Sequence, residues 1–592
     1  MGGFLHELRR RNILRAVALY ATSVWALAQG ITSLGPTLDA PTWLTRWFLV
    51  AAAIGFPFWI AFAWFYELTP QGIKRESEAP PSDAVARATG RRLDVWIIGV
   101  LAVAVVLLLT DKFVVRREAA VSASVVAIAE KSVAVLPLVN ESGDPNALYF
   151  SDGLSEDLIA ALSQFSGLKV IGRNSSFKFR NSTEASNVIG EKLGVAHLLE
   201  GSVRREGDMV RIYAELVNAG DGSTMWSQHY DKPYKDLFQL QDDITDAVAG
   251  VLKTKLLGGD NAVAQNDRPP SGNLDAYNAY LQGKFYLARQ NEADFHKAID
   301  AFTTATRIDP HYAQAWANLS NAWSDLGQEF LGGASALQAY AQARASVNTA
   351  LALAPDLAIA HSAKGNLLLS ADSNWSGAEA EFRRALQIEP NFAAAKGNLG
   401  AVLGTLGHPE QAADLTRQAS ASDPLYAFWF DQLSRFLGTL GRLDEAGQAE
   451  RKAIELQPKA ESFYVQLAVI EILRGDSKAA LATAQQGPKG PWQDVGLALA
   501  RQIGGDRAAA DAALKILIDK YADGAPYQIA EVYALRKDPD KTFEWLDKAW
   551  VARDPGIQLL LFDPLFRRYW SDPHFAAFCR KVGLPAPQIP AN

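Results

Sequence analysis

Prolines that recur at a fixed interval constrain the fold of this chain more than any other feature of its sequence. Pro390, Pro424 and Pro458 are each separated by 34 residues. Between them, alanines and large apolar residues recur with the spacing of a helix. An interval of this length is typical of stacked two-helix units, each of which buries its apolar face only against its neighbours. The sequence therefore predicts an all-α repeat solenoid, which we place at residues 275–585.

The register inside these units matches the tetratricopeptide pattern. The signature positions of two successive repeats are held by Leu399, Gly400, Leu403, Ala412, Ala419 and Pro424, and then by Phe430, Leu433, Leu437, Ala446, Ala453 and Pro458. Small residues are needed where the two helices of a hairpin touch, and large apolar residues fill the space between hairpins. An earlier repeat, residues 316–355, carries an insertion, and the pattern becomes divergent after Pro458.

First-helix positions that normally face the concave side of such a solenoid carry polar side chains. These candidate groove residues are Asn318, Asn321, Asn366, Asn398, Asp431, Gln432 and Arg435. We interpret them as a strip that binds a protein or peptide partner, and solvated polar surface is the alternative. Repeats that clamp a C-terminal carboxylate combine such asparagines with paired lysines or arginines. Those paired cations are missing here, so a carboxylate clamp is not expected.

Three apolar runs near the N-terminus predict transmembrane helices at about 16–38, 47–66 and 95–112, within a membrane module spanning residues 1–117. A helix needs about 20 apolar residues to cross roughly 30 Å of hydrocarbon. The third run is slightly short, and a buried core helix is the alternative for it. In the second run, Gly55 and Pro57 favour packing against a neighbouring helix.

The basic residues predict the orientation of these helices. Arginines precede the first run and further basic residues lie at 74–92, whereas the loop between the first two runs carries little charge. Positive charge is retained on the cytoplasmic side. The N-terminus is therefore expected in the cytoplasm and everything after about residue 116 across the membrane. A signal peptide cleaved after Ala28 is a competing interpretation of the first run.

Between a spacer at 118–130 and a linker at 259–274, apolar strand patterns alternate with amphipathic helices. The predicted elements are a strand at 132–139, a helix at 150–162, a strand at 168–171, a helix at 184–193, a strand at 196–201, a hairpin at 203–216 and a helix at 237–256. This alternation predicts a small α/β domain at residues 131–258. Asp152 or Ser155 is expected to cap the N-terminus of its first helix, so capping and the helix dipole account for Asp152, Glu156 and Asp157.

Several phrases of the chain resemble a known family. The segments SVAVLPLVNESGDPNALYFSDGLSEDLIAALSQ and GVAHLLEGSVRREGDMVRI resemble the TolB-type amino-terminal-like, or FlgO-like, domain, and FPFWIAFAWFYELTPQGIKRE resembles the membrane module of the same proteins. The resemblance implies a bacterial membrane protein in which this domain precedes tetratricopeptide repeats. Together with the orientation predicted from the basic residues, this places the chain in the bacterial inner membrane, with the part after about residue 116 in the periplasm. Family members are often labelled adenylate-cyclase-like, but no cyclase catalytic domain can be accommodated here.

Composition and motifs exclude several functions. The formal net charge is −7, so nucleic acid is not an expected partner. One cysteine, Cys579, excludes an intrachain disulfide and the usual cysteine-ligated zinc site, and we interpret it as a packing residue. Phosphate-binding loops, zinc-peptidase motifs and hydrolase elbows are missing from the sequence. No catalytic residue, metal ligand or cofactor is therefore predicted.

The sequence favours a non-enzymatic scaffold or adaptor in the cell envelope. Its N-terminal helices would contact membrane lipid, and its repeat groove would bind a protein or peptide. One alternative is a transmembrane signalling component that acts with a separate cytoplasmic effector. A second alternative is an envelope enzyme with a site between the α/β domain and the first repeats, where Asp152 and Glu156 would be the residues to examine.

Overall fold

The computed structural model describes residues 129–252 and 267–587, apart from 145–146 and 332, together with residues 255–256. Nearer the N-terminus it describes residues 66–69, 72–75 and a few helical positions between residues 17 and 57. Most of the first two predicted membrane helices, and all of the third at 95–112, therefore lie outside the described residues. Within the described residues, no helix combines the length and the apolar character needed to cross a membrane.

The chain divides into two compact units, residues 1–127 and 128–592. In the first unit, the described positions between residues 17 and 57 are helical, whereas Tyr66, the last residue of the second apolar run, begins a strand. The Tyr20 hydroxyl donates to the carbonyl of Ala52 at 2.7 Å, and a Cβ atom at Gly55 would lie 2.9 Å from that hydroxyl. The prediction that Gly55 packs against a neighbouring helix is thus confirmed. An antiparallel hairpin follows, formed by β1 (Tyr66–Thr69) and β2 (Gly72–Arg75).

The second unit begins with a small mixed sheet. Its strands are β3 (Ser132–Val135), β4 (Val139–Asn140), β5 (Phe165–Ser166), β6 (Lys169–Val170), β7 (His197–Glu206), β8 (Met209–Asn218), β9 (Thr224–Pro233) and β10 (Lys255–Leu256). The order of the main sheet is β6-β3-β7-β8-β9, with β4 also paired to β7, while β5 pairs separately with β10. The parallel pairs surround β3, and β7 to β9 form an antiparallel meander. The predicted small α/β fold is confirmed, with β9 as an additional strand.

Helices cover both faces of this sheet. They are α1 (Leu148–Ser163), α2 (Arg173–Ser176), α3 (Ser186–Leu193) and α4 (Leu237–Val251). Leu158 of α1 and Ile244 of α4 belong to the core on one face, and Ile189 of α3 belongs to the smaller core on the other. Because α1 begins at Leu148, Asp152 and Ser155 lie inside the helix. The prediction that one of them caps its N-terminus is wrong.

The rest of the unit consists of helical hairpins, as the repeat period predicts. In chain order their helices are α5 (Leu274–Leu287) and α6 (Glu292–Ile308), α7 (Ala313–Glu329) and α8 (Gly333–Leu353), α9 (Ala358–Ser370) and α10 (Trp375–Ile388), α11 (Ala393–Thr405) and α12 (Pro409–Ser422), α13 (Ala427–Thr439) and α14 (Leu443–Leu456), α15 (Glu461–Leu473) and α16 (Ser477–Gln486), α17 (Pro491–Arg501) and α18 (Arg507–Tyr521), α19 (Pro526–Arg536) and α20 (Pro539–Val551). Two 3-10 turns, Pro555–Leu559 and Pro564–Tyr569, and α21 (Pro573–Lys581) follow.

Burial confirms the register of the repeats. The signature residues Leu399, Leu403, Ala412 and Ala419 are buried, as are Leu433, Leu437, Ala446 and Ala453. The insertion predicted in the repeat at 316–355 lengthens helices instead of forming a loop. Helices α7 and α8 have 17 and 21 residues, whereas α13 and α14 have 13 and 14.

The contact between successive first helices provides a test of the packing. A Cβ atom added at Gly397 of α11 would overlap the buried ring of Trp429 on α13, whereas one added at Gly438 meets nothing within 4 Å. We expect Gly397→Ala to lower the free energy of unfolding by about 1–3 kcal/mol because the ring must move in a packed core. Gly438→Ala, the matched control, should raise it by about 0.5–1 kcal/mol through helix propensity. Urea denaturation followed by circular dichroism measures both, and equal effects would contradict this packing.

Candidate functional site

The first helix of each hairpin lies on the inner side of the solenoid. Helix α7 contacts α9, α13 contacts α15 and α15 contacts α17, whereas the second helices of neighbouring hairpins contact one another far less. A stack whose first helices approach more closely than its second helices curves toward the first helices. The candidate groove residues all belong to first helices, which line the concave side.

The α/β domain covers the start of this concave surface. Gly153 of α1 packs against the buried side chain of Leu281 on α5, so closely that a Cβ atom there would collide with it. Next to this contact, the Asn318 amide donates to the Tyr280 hydroxyl at 3.2 Å and Asn318 is buried. Asn318 therefore supports the first repeats internally, at the place where the α/β domain ends.

Residues 555–584, which we name the C-terminal strap, cover the later part of the same surface. The Thr439 hydroxyl donates to the Phe562 carbonyl, and the Phe562 and Phe436 rings lie 5.0 Å apart. The Trp375 indole nitrogen donates to the Val582 carbonyl at 3.3 Å. The strap thus contacts the first helix α13 and the start of the second helix α10, both of which precede it by more than 100 residues. The sequence analysis includes this region in the divergent C-terminal part of the solenoid and does not predict its path.

Two of the predicted groove residues form an ion pair beneath the strap. Arg435 donates to both carboxylate oxygens of Asp431, at 3.1 and 3.0 Å. Around them lies a buried acid cluster, which comprises Asp431, Glu450, Glu531 and Asp563. Burial, followed by the neighbouring Asp563, raises the pKa of Glu531 well above its ordinary value. Several carboxyl groups share the one guanidinium of Arg435 here, which does not offset the cost of burying all of them as anions.

Glu450 shows the effect of burial on these carboxyl groups most clearly. It is fully buried, and both of its carboxyl oxygens lack a hydrogen-bond partner among the described residues. Burial raises its pKa well above 4.5, with Asp431 adding to the effect and Arg435 opposing it. The folded protein therefore holds a proton on Glu450 that the unfolded chain releases at lower pH.

The pH dependence of stability tests this assignment. Because the folded state binds the extra proton, Glu450 makes the free energy of unfolding fall as pH rises above 4.5, by at most about 1.4 kcal/mol per pH unit. Glu450→Gln should flatten this slope above about pH 5. The control is Glu455→Gln on the same helix, whose side chain is 68% exposed and pairs with Lys452. An unchanged slope in Glu450→Gln would contradict a protonated Glu450.

Between the α/β domain and the strap lies a polar stretch that we name the central groove. Its residues are Asn321, Asp325, Asn366, Asn398 and Gln432. Asn398 donates to the Asn366 side-chain oxygen at 3.0 Å and so links two repeats. The side-chain oxygens of Asn321 and Gln432 are enclosed and accept no hydrogen bond from the described residues. Buried acceptors of this kind normally have a partner.

Asp325 adds an acidic group that the sequence analysis did not single out. It lies one helical turn after Asn321, on the same face of α7. Burial, together with the nearby Glu329, raises its pKa to about 7. The central groove is therefore rich in acceptor oxygens and partly anionic at neutral pH.

A second set of charged residues joins the α/β domain to the first repeat. Lys284 of α5 lies 2.7 Å from Asp267, 3.2 Å from Glu156 and 3.6 Å from Asp157. Burial alone would lower the pKa of Lys284, but the carboxylates around it raise it well above its ordinary value. The lysine thus stays charged inside the interface.

The acids of α1 serve this interface and not the helix terminus. Glu156 also pairs with Arg173, and Asp152 pairs with Arg180 at 2.6 Å. The capping explanation for these acids is therefore wrong, because α1 starts one turn earlier and its acidic side faces cations from α2, α5 and the segment after α2. A cluster of charges does lie between the α/β domain and the first repeats, where the enzyme alternative places a site. The ion pairs within this cluster account for it as a structural interface.

The α/β domain also contacts the middle of the solenoid. The Gly172 amide donates to the Ser422 carbonyl at 2.7 Å, and the Leu425 amide donates to the Ser175 hydroxyl at 2.8 Å. The Asn391 side chain donates to the Ser163 carbonyl at 3.1 Å. These contacts fix the domain to the loops after α10 and α12, so it is held at several points of the curve.

The remaining candidates for chemistry have structural roles. Cys579 is buried, and burial raises the pKa of its thiol to about 12, which agrees with the predicted packing role. Within the described part of the chain, no group of three or more histidine, cysteine, aspartate or glutamate side chains converges as a metal site would require.

Comparisons with known proteins divide between the α/β domain and the repeats. The family described as HilA/YgeH-like transcriptional regulator, second domain, matches residues 129–247, the range from β3 to α4. A protein of Rhizobium meliloti (strain 1021) described as "Putative adenylate cyclase 3" is 37% identical over 194 residues, which are 32% of this chain and 32% of that protein. The chain thus spans about a third of the length of this curated relative.

Two solved structures are similar over the repeats. YrrB, described as a TPR protein with an unusual peptide-binding site, is 22% identical and covers 37% of this chain and 100% of its own, with a TM-score of 0.27. The APC/C hetero-tetramer Cut9–Hcn1 is 15% identical and covers 59% of this chain and 60% of its own, with a TM-score of 0.34.

Proposed function

We propose that this protein is a non-enzymatic scaffold or adaptor of the bacterial cell envelope that binds an extended protein segment in its central groove. The half-buried side chains of Asn321 and Gln432, whose oxygens accept no hydrogen bond from the described residues, carry this proposal. Leaving such acceptors unsatisfied costs about 1–3 kcal/mol each, and a bound segment that donates to them once the amides rotate toward the groove offsets that cost.

The two covered ends of the concave surface limit where a partner segment can lie. The α/β domain covers the first repeat and the strap covers the region around Phe436, so the partner segment lies across α7, α9, α11 and α13. Asp325 and the amide oxygens favour a segment that brings amide donors and basic side chains. A partner of this kind is an extended peptide with a lysine or arginine opposite Asp325.

Site-specific photocrosslinking in cells tests the position of the partner. A photoreactive residue replaces Ala394, an exposed residue one turn before Asn398 on α11, and in the control it replaces Gln418, an exposed residue of the second helix α12. We expect a discrete protein adduct from position 394 that is lost when Asp325→Lys reverses the charge of the groove. Adducts of equal yield from both positions, or from position 394 regardless of Asp325→Lys, would argue against the groove.

The membrane anchor and the FlgO-like identity of residues 131–258 belong to the same proposal. The basic residues around the apolar runs and the resemblance of residues 56–76 to a membrane module support them. In this arrangement the N-terminus is cytoplasmic, and the α/β domain and the repeats are periplasmic. Anchoring in a membrane raises the effective concentration of the groove toward partners in the same envelope.

Signalling is the second candidate function. The chain is 37% identical to a protein described as a putative adenylate cyclase, over about a third of each chain. This similarity supports a module that is shared between envelope and signalling proteins. The chain would then act through a separate effector, because residues 74–92 alone are too short to fold into an output domain.

Paired C-terminal reporter fusions distinguish these candidates. One reporter is active only outside the cytoplasm and the other only inside it. We expect activity of the outside reporter, because three spans carry the C-terminal part across the membrane. Activity of the inside reporter would show that one of the three apolar runs does not span. The repeats would then be cytoplasmic, and the signalling function would take precedence over the envelope scaffold.

A further inference from the structure

A cleft of about 310 Å³ opens in the α/β domain, away from the central groove. It lies between α1 and α4, beside residues 267–268. On α1 the small side chains of Ala160 and Ala161 leave the space open, and Thr245 lines it from α4. The volume falls at the small end of ligand pockets, which range over roughly 300–1,000 Å³.

The lining of this cleft is strongly acidic. Its carboxylates belong to Asp157, Asp242, Asp246 and Asp267. Arg268 contributes a cation, and its guanidinium donates to the two oxygens of Asp242 at 3.0 and 2.6 Å. Asp246 is exposed on the side of α4 and has no ion pair among the described residues. The potential in the cleft therefore repels anions and attracts cations.

Asp157 lies at the inner end of the cleft, and only one of its two carboxylate oxygens accepts hydrogen bonds from the described residues. One of its oxygens, Oδ2, accepts from Gln241 at 3.0 Å and from the Tyr277 hydroxyl. The other, Oδ1, is enclosed and accepts no hydrogen bond from the described residues. Lys284 lies 3.6 Å from Oδ1, beyond hydrogen-bond distance, and is bound more closely by Asp267 and Glu156. Despite Lys284, burial raises the pKa of Asp157 to about 6.

We propose that this cleft binds a small aliphatic diamine or a similar organic ammonium compound, with one ammonium group donating to Asp157 and the other lying near Asp246. The ammonium group adds a cation at the Asp157 carboxylate, which Lys284 approaches only to 3.6 Å, and the aliphatic stem lies along Ala160 and Ala161. A neutral ligand would leave the acidic lining uncompensated. A metal ion is disfavoured because the carboxylates do not converge among the described residues.

Isothermal titration calorimetry of the purified full-length chain in detergent tests this site with putrescine as the probe. We expect saturable binding of one putrescine per chain and no saturable binding of 1,4-butanediol, which has the same stem without charge. Asp157→Asn should weaken binding by about tenfold, because the amide loses the ionic contact. The control Asp221→Asn, on the exposed β8–β9 turn, should bind like the wild type.

A steric variant keeps the test decisive if Asp157→Asn fails to fold. Ala161→Leu fills the cleft and leaves the Asp157–Lys284–Glu156 contacts in place, and it should abolish saturable binding. For the wild type, affinity should fall as pH drops below about 6, where Asp157 becomes protonated. Absence of saturable binding by the wild type, or equal binding by wild type, Asp157→Asn and Ala161→Leu, would overturn the proposal. Crosslinking from position 394 is independent of these results.

Discussion

The arrangement of the second unit depends on one buried cation. Lys284 extends from the first repeat and meets three carboxylates, two from α1 and one from the segment before α5. Carboxylates taken out of water cost several kcal/mol each unless a counter-ion compensates them. The lysine supplies that compensation at the junction of the α/β domain and the solenoid. The position of α1 over the concave surface, and hence the start of the central groove, follows from this pairing.

The repeat architecture could be predicted because its determinants are local. Small residues such as Ala412 and Ala419 must occur where the two helices of one hairpin meet, and their register is visible within 34 residues. The strands β7 and β8 were equally legible, since Val210, Ile212 and Leu216 alternate with polar residues. Strand β9 lies at the edge of the sheet, and its mostly exposed side chains carry no such alternation.

What the sequence does not reveal depends on contacts between distant residues. The pairing of Asp152 with Arg180 spans 28 residues, and the strap contact of Phe562 with Thr439 spans 123. No local pattern encodes either one, so the acids were explained by capping and the strap by a repeat. The candidate groove was therefore predicted as one continuous strip. In the structure Asn318, Asp431 and Arg435 are used within the protein, and Asn321, Asn366, Asn398 and Gln432 remain at its centre.

The C-terminal strap has a mechanical consequence for the solenoid. A free helical-repeat stack behaves as a spring, because each interface can tilt slightly and the tilts accumulate along the chain. Here the strap ties the last hairpins to Trp375 and Thr439, and the α/β domain ties the first hairpin to the loops at Asn391 and Leu425. These contacts between distant repeats restrict changes in the pitch of the stack. If the central groove binds a segment as proposed, a stack held in this way loses little conformational entropy on binding and favours segments that already match its length.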